Sequence, residues 1–260
     1  MAIKNIIFDL DDSIVHCSVN YKRRKTLFAT RQHERTGINE QTCLDILNQI
    51  DIASTKLGDT YQGFHKERYP TSFRAASAVL DIVRGHAINL NEMESMYALG
   101  EGVFGDIYPV MEGAEEIVRQ LKGEGYQLFI LSKGDTKIQH RKVIDANLEI
   151  YFPKGHVYTN LIKTKKEVEQ ILNDHNLVNH ETVFIGDSLR DDIKSGREAG
   201  IWTILLEHPH GNPIWHAEEE IIKPHFKIQH INQLPAKLEM LNDTDLTFEL
   251  LENDALSKSV

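Results

Sequence analysis

Two aspartates one residue apart, Asp9 and Asp11, close the short apolar run Ile6-Ile7-Phe8. Side chains at i and i+2 of an extended segment share a face, so both carboxylates are expected to address one point beyond a strand end. Carboxylates this close repel unless a cation or a shared proton lies between them. The chemistries that follow are a divalent cation held by oxygen ligands, a nucleophile paired with an acid, or both. A plainer use also exists, because Asp12-Ser13 suits a turn or a helix N-cap. Three more polar clusters decide between these readings. Ser132-Lys133-Gly134 offers a hydroxyl and backbone N–H groups to phosphate oxygens. Gly186-Asp187-Ser188 leads into Asp191-Asp192, and Lys163, Lys165 and Lys166 supply cations between the two. Each cluster alone could be a cap or a solvated face. Their ordered recurrence after apolar runs favours a single site.

The elements that must carry these residues read as a parallel α/β sheet. Apolar runs at Gln127–Leu131, His156–Tyr158, Thr182–Ile185 and Trp202–Leu205 alternate with helical segments near Gly113–Lys122, Thr136–Ala146, Lys165–His175 and Asp191–Ala199. Strands of this kind separated by helices imply a doubly wound sheet covered on both faces, with ligands bound beyond the carboxyl ends of the strands. Residues 16–109 show helical periodicity, as in Cys43-Leu44-Ile46-Leu47-Ile50 and Ala75–Val83, and almost no strand signal. Tyr69-Pro70 and Tyr108-Pro109 punctuate that segment. An inserted all-helical domain on two linkers, near residues 16 and 109, is therefore expected to cover the site. Residues 236–260 form an acidic tail or docked helix, with Asp243, Asp245, Glu249, Glu252 and Asp254.

Composition sets the outer limits. With 260 residues, 41% hydrophobic and 26% charged, the chain has room for a sizeable core. A formal charge of -10 argues against nucleic acid as a partner. Neither a signal peptide nor a membrane span is apparent, and the two cysteines, Cys17 and Cys43, read as reduced thiols of a cytoplasmic protein. The one basic run, Lys22-Arg23-Arg24-Lys25, is either a solvated helix face or a rim that attracts an anionic substrate. His208-Pro209-His210 invites a zinc reading, although no helical histidine pair with a third ligand accompanies it. Trp202 and Trp215 read as packing residues.

The ordered set resembles the haloacid dehalogenase (HAD)-like hydrolase superfamily, in its phosphatase type with a helical cap. Phe8-Asp9-Leu10-Asp11-Asp12-Ser13 is similar to the first motif of that family, Leu131-Ser132-Lys133-Gly134 to the second, Lys163 to the third, and Gly186-Asp187-Ser188 through Asp192 to the fourth. The likeness covers about 1–15 and 110–235, which would form the catalytic core, with 16–109 as the cap. Asp12 and Ser13 stand where the family more often has glycine and threonine.

The resemblance implies a Mg²⁺-dependent phosphomonoester hydrolase. Asp9 would attack phosphorus, and Asp11 would serve as acid and then base. Asp9, the Asp11 carbonyl and Asp187 would hold the metal. Ser132, Lys163 and amides near Lys133-Gly134 would hold the phosphoryl oxygens. Asp192, or alternatively Asp191, would orient Lys163 or a metal-bound water. The expected substrate is a small phosphorylated metabolite, and the oligomeric state is left open. A phosphosugar mutase of β-phosphoglucomutase type uses the same aspartates, and a non-catalytic binding protein could retain the fold.

Overall fold

The computed structural model describes residues 2–55, 65–208 and 222–243. His210, Trp215 and the acidic residues Asp245, Glu249, Glu252 and Asp254 lie outside the described residues.

Strand β1 (Asn5–Phe8) is fully buried and central. It pairs in parallel with β2 (Gln127–Lys133) on one side and β4 (Thr182–Gly186) on the other, with Phe8 opposite both Ile130 and Ile185. Adding β3 (Val157–Asn160), β5 (Trp202–Leu206) and β6 (Phe226–Ile228) completes a six-stranded parallel sheet of order β3-β2-β1-β4-β5-β6. The chain therefore reverses its direction of winding at β1, the point beyond whose strand ends such sheets bind ligands. Alternation along β1 feeds both faces. Ile6 and Phe8 pack with Val118, Leu121, Val143 and Leu238, while Ile7 packs with Phe129, Val168, Ile171 and Phe184. Helices α5 (Ala114–Gly123), α6 (Thr136–Asp145) and α9 (Leu234–Asp243) cover the first face, and α7 (Lys165–Asp174) and α8 (Lys194–Glu198) the second. The three-residue strand β6 escapes the sequence pattern because it is too short to show a period.

Between β1 and α5 the described residues form four α-helices, α1 (Ser18–Thr36), α2 (Glu40–Thr55), α3 (Arg68–Val83) and α4 (Leu90–Glu101). They share a separate apolar core built on Phe28, Leu47, Phe73, Leu80 and Met96. Pro70 sits in the first turn of α3, where its missing N–H leaves no helical acceptor unserved. The punctuation read at Tyr69-Pro70 thus marks a helix start. Gly100 lets α4 close on α3, since a side chain there would press on Pro70 and Phe73.

The chain leaves and returns to the sheet through a small clasp. The His16 N–H donates to the Pro109 carbonyl at 2.7 Å, and the Met111 N–H to the Ile14 carbonyl at 2.7 Å. No helix among the described residues is long and apolar enough to cross a membrane.

The basic run is divided: Lys22 and Arg23 lie on a solvated face, while Arg24 and Lys25 are half-buried. Arg23 and Arg24 both grip Asp106, Arg24 also reaches the Gly102 carbonyl at 3.0 Å, and Lys25 binds Asn48 at 2.9 Å and Asp51 at 3.0 Å. Arg24 and Lys25 thus brace the helices from half-buried positions, and Arg23 adds an exposed pair. Arg24→Met is therefore expected to lower the stability of the protein by about 1–2 kcal/mol, the range for hydrogen bonds to a charged group that is only partly wet. Substrate KM should change little. Urea unfolding and steady-state kinetics check both, and a raised KM with an unchanged urea midpoint would restore the substrate-rim reading.

Candidate active site

The site is built at the central strand end. Directly after β1, the Asp9 N–H donates to the Ile185 carbonyl at 2.8 Å, which locks Asp9 to the neighbouring strand. Its carboxylate meets the Lys163 ammonium, which also contacts Asp192 at 2.5 Å. Lys163 and Asp192 are almost fully buried, with side chains 3% and 0% exposed. Lys163 is aimed by the residue after it. Thr164 caps α7 in a reciprocal capping box with Glu167, the Thr164 N–H reaching Glu167 Oε2 at 2.8 Å. This leaves no choice among the three lysines: Lys165 pairs with Glu169 on the surface, and Lys166 is exposed.

Asp192 owes its place to a π-helical turn, Leu189–Ile193, that precedes α8 where the sequence pattern predicts an uninterrupted α-helix. Such turns re-aim single residues. Ser188 caps it by accepting from the Asp191 N–H at 3.1 Å, while Asp192 Oδ2 accepts from the Ser188 N–H at 3.0 Å. Gly186 completes the arrangement, because any side chain there would run into Asp192.

Oxygen atoms of Asp9, Asp187 and Asp192 lie within 4.8 Å of one another. Burial pushes the Asp9 carboxyl up to about 7, with Asp192 and Asp11 adding to the rise and Lys163 opposing it. Burial, with Asp9 and Asp192 close by, drives Asp187 well above the usual carboxylate range. Negative charge here exceeds what Lys163 neutralises. An all-oxygen donor set with excess negative charge fits a hard divalent cation such as Mg²⁺.

Asp11 departs from the sequence expectation. Its carboxylate does not converge with that of Asp9 on one point and is absent from the three-carboxylate group. Instead both of its oxygens meet the Lys142 ammonium at 2.8 Å, Gln139 donates to Oδ2 at 3.0 Å, and the Cys17 thiol to Oδ1 at 3.1 Å. Burial acts to raise the Asp11 carboxyl, yet Lys142 and these donors hold it below the usual range. Only the Asp11 backbone carbonyl remains as its candidate contribution to a metal.

Ser132, fully buried at the end of β2, accepts from Gln139 Nε2 at 2.8 Å. Lys133 turns its side chain onto Asp191. The Gly134 amide, which the sequence reading offered to phosphate, donates to the Asn160 carbonyl at 2.8 Å and so extends the β2–β3 pairing. Asp191 therefore partners Lys133, and of this aspartate pair it is Asp192 that contacts Lys163 beside Asp9. Asp12 has a left-handed φ of 56°, which accounts for a position where glycine is common. Its carboxylate accepts the Ser18 N–H at 2.9 Å and anchors the start of α1. His208 contacts the Asp12 carbonyl, and no histidine joins the carboxylate group among the described residues.

Lys142 and Gln139 are the residues sequence reasoning missed. The signal was present in α6, where the buried face consists of Gln139, Lys142 and Val143 while Ile144 is 58% exposed. Polar residues on the inward face of a helix mark a place where packing has yielded to function.

Three aspartates thus gather around one buried lysine at the winding reversal of a parallel sheet, where such folds bind their ligands. A sequence model of the haloacid dehalogenase-like hydrolases matches residues 3–200, and the chain belongs to that family. Among curated proteins it is similar to a glyceraldehyde 3-phosphate phosphatase from Pyrococcus furiosus, 25% identical over 134 residues. That match spans 50% of this chain and 53% of the relative, about half of each. Among solved structures, a HAD-like family hydrolase from Xanthomonas campestris superposes with a TM-score of 0.71 at 18% identity, covering 92% of both chains. The HAD-hydrolase YfnB from Bacillus subtilis, solved bound to magnesium, gives 0.63 at 20% identity over 92% of this chain and 100% of its own. These likenesses establish the fold.

Proposed function

We propose that the protein is a Mg²⁺-dependent phosphomonoester hydrolase acting on a small phosphorylated metabolite through an aspartyl-phosphate at Asp9. The observation that carries this reading is the buried Lys163 bridging Asp9 and Asp192 beside Asp187 at the carboxyl end of the central strand. The phosphatase among its relatives supports the substrate class.

In the first half-reaction an Asp9 carboxylate oxygen bonds to phosphorus as the ester P–O bond breaks, and Asp11 gives its proton to the departing oxygen. In the second, Asp11 takes a proton from the water that attacks phosphorus, which frees phosphate and restores Asp9. Lys142 favours the ionised form of Asp11 before substrate arrives, and an incoming anionic ester offsets that lysine. Ser132 Oγ and Lys163 Nζ hold the phosphoryl oxygens as charge shifts between them. When bound to Asp9, Asp187 and the Asp11 carbonyl, Mg²⁺ supplies screening of the repulsion between Asp9 and the phosphate. Residues 1–15 and 110–235 act as the catalytic core and 16–109 as a cap that excludes water and selects the leaving group. Reduced Cys17 and Cys43 agree with a cytoplasmic setting.

Incubating the purified protein with Mg²⁺ and a panel of sugar phosphates, nucleotides and phosphoglycolate should release free phosphate without a bisphosphate activator. Isomerisation of a phosphosugar that outran phosphate release would replace the hydrolase with a mutase. A panel with neither product would leave the fold without the chemistry.

A further inference from the structure

The reaction above makes no direct use of Lys142, yet its side chain is only 2% exposed and both of its contacts to Asp11 are at hydrogen-bond distance. A buried ammonium is costly unless a partner is fixed against it. Here it is fixed from two directions: the chain of α6 carries it, and the Tyr108 ring lies 4.6 Å from the ammonium. Tyr108 is held in turn by its hydroxyl, which donates to the Val103 carbonyl at 2.7 Å.

Gln139 lies one turn earlier on the same face of α6, where residues three apart are neighbours. Its Nε2 has two protons and three acceptors within reach: Asp11 Oδ2 at 3.0 Å, Ser132 Oγ at 2.8 Å and the Lys133 carbonyl at 2.9 Å. With Cys17, these donors come from α6 and from the outgoing linker, and all pull on a carboxylate only two residues from Asp9. A free carboxylate at that distance would be drawn to a divalent cation as a further ligand. In the structure it is instead held by Lys142, Gln139 and Cys17, and it is not among the carboxylates grouped as Asp9, Asp187 and Asp192.

We propose that Lys142, seconded by Gln139, is the positioning residue that fixes the Asp11 side chain for proton transfer to the leaving-group oxygen. This rests on the reading of Asp11 as the acid of the first half-reaction.

The test compares kcat/KM, which reports events up to departure of the leaving group, on two esters. Nitrophenolate leaves from p-nitrophenyl phosphate without needing a proton, whereas the alkoxide of the best alkyl phosphate in the panel needs one. Asp11→Asn should depress the alkyl-to-nitrophenyl ratio by about 10²-fold or more, the span of general acid catalysis. Lys142→Met should depress it in the same direction by at least about tenfold, and Lys142→Arg should restore most of it. Equal loss on both esters in Lys142→Met, or a ratio shifted toward the alkyl ester, would overturn the proposal while Asp11→Asn still discriminates. An unchanged ratio in Asp11→Asn would instead overturn the acid assignment and take the proposal with it. Circular dichroism checks folding. Should Lys142→Met not fold, Gln139→Met is read by the same ratio, since any loss transmitted through Ser132 to the shared phosphoryl group cancels.

Discussion

Asp9→Asn is expected to lower kcat by at least about 10⁴-fold, because on the proposed route a carboxamide has no anionic oxygen to bond to phosphorus. Folding should survive intact. Asparagine keeps the shape of the side chain, and a neutral amide escapes the burial, and the nearby charges of Asp192 and Asp11, that push the Asp9 carboxyl up to about 7. Lys163 would retain Asp192 as its partner. The measurement is a sensitive phosphate-release assay beside a thermal melt. More than about a tenth of wild-type activity in a correctly folded variant would end the case for Asp9 as nucleophile.

The second large effect belongs to Lys163. Lys163→Met removes the one ammonium shared by Asp9 and Asp192, both buried, and breaking a buried pair by deleting one partner costs about 3–5 kcal/mol. In a metal chelator the variant should therefore melt well below the wild-type protein. Added Mg²⁺ should recover much of that stability, since a cation among three carboxylates replaces the lost positive charge. Activity should not recover. Loss of a preorganised donor to the transferring phosphoryl group costs about 10²–10³-fold or more. A melt indifferent to Mg²⁺ would contradict the metal-binding reading of Asp9 and Asp187. Near-normal kcat would remove Lys163 from the phosphoryl site.

How far the sequence reveals this molecule depends on which force places each residue. Burial on both faces writes β1, β2, β4 and β5 as unbroken apolar runs, so their ends, and with them Asp9, Ser132 and Asp187, are legible in advance. The signature Thr164-Lys165-Lys166-Glu167 fixes the start of α7 and so sets Lys163 just outside it. Other placements depend on contacts between distant segments. The π-helical turn at Leu189–Ile193 has no periodic signature, and it alone brings Asp192 rather than Asp191 to Lys163. Asp11 follows the period-two rule only as long as the chain stays extended, and the extended run ends at Phe8. Its partners Gln139 and Lys142 lie 128 and 131 residues away. The half-buried contacts of Arg24 and Lys25 escape the sequence for the same reason, because their acceptors Asp106 and Asp51 are remote in sequence.

The clasp at His16–Pro109 and Met111–Ile14 gives the gene an unusual freedom. Val15 and Val110 are antiparallel neighbours, so everything between them begins and ends at essentially one place on the protein. A segment whose two ends already touch can be lengthened, shortened or exchanged for another fold without asking the sheet to move, since added length costs loop-closure free energy only logarithmically. Recombination at these two valines is thus a route by which a single phosphoryl-handling core could be fitted with different specificities, and the same junctions are the natural places to splice in a foreign helical block.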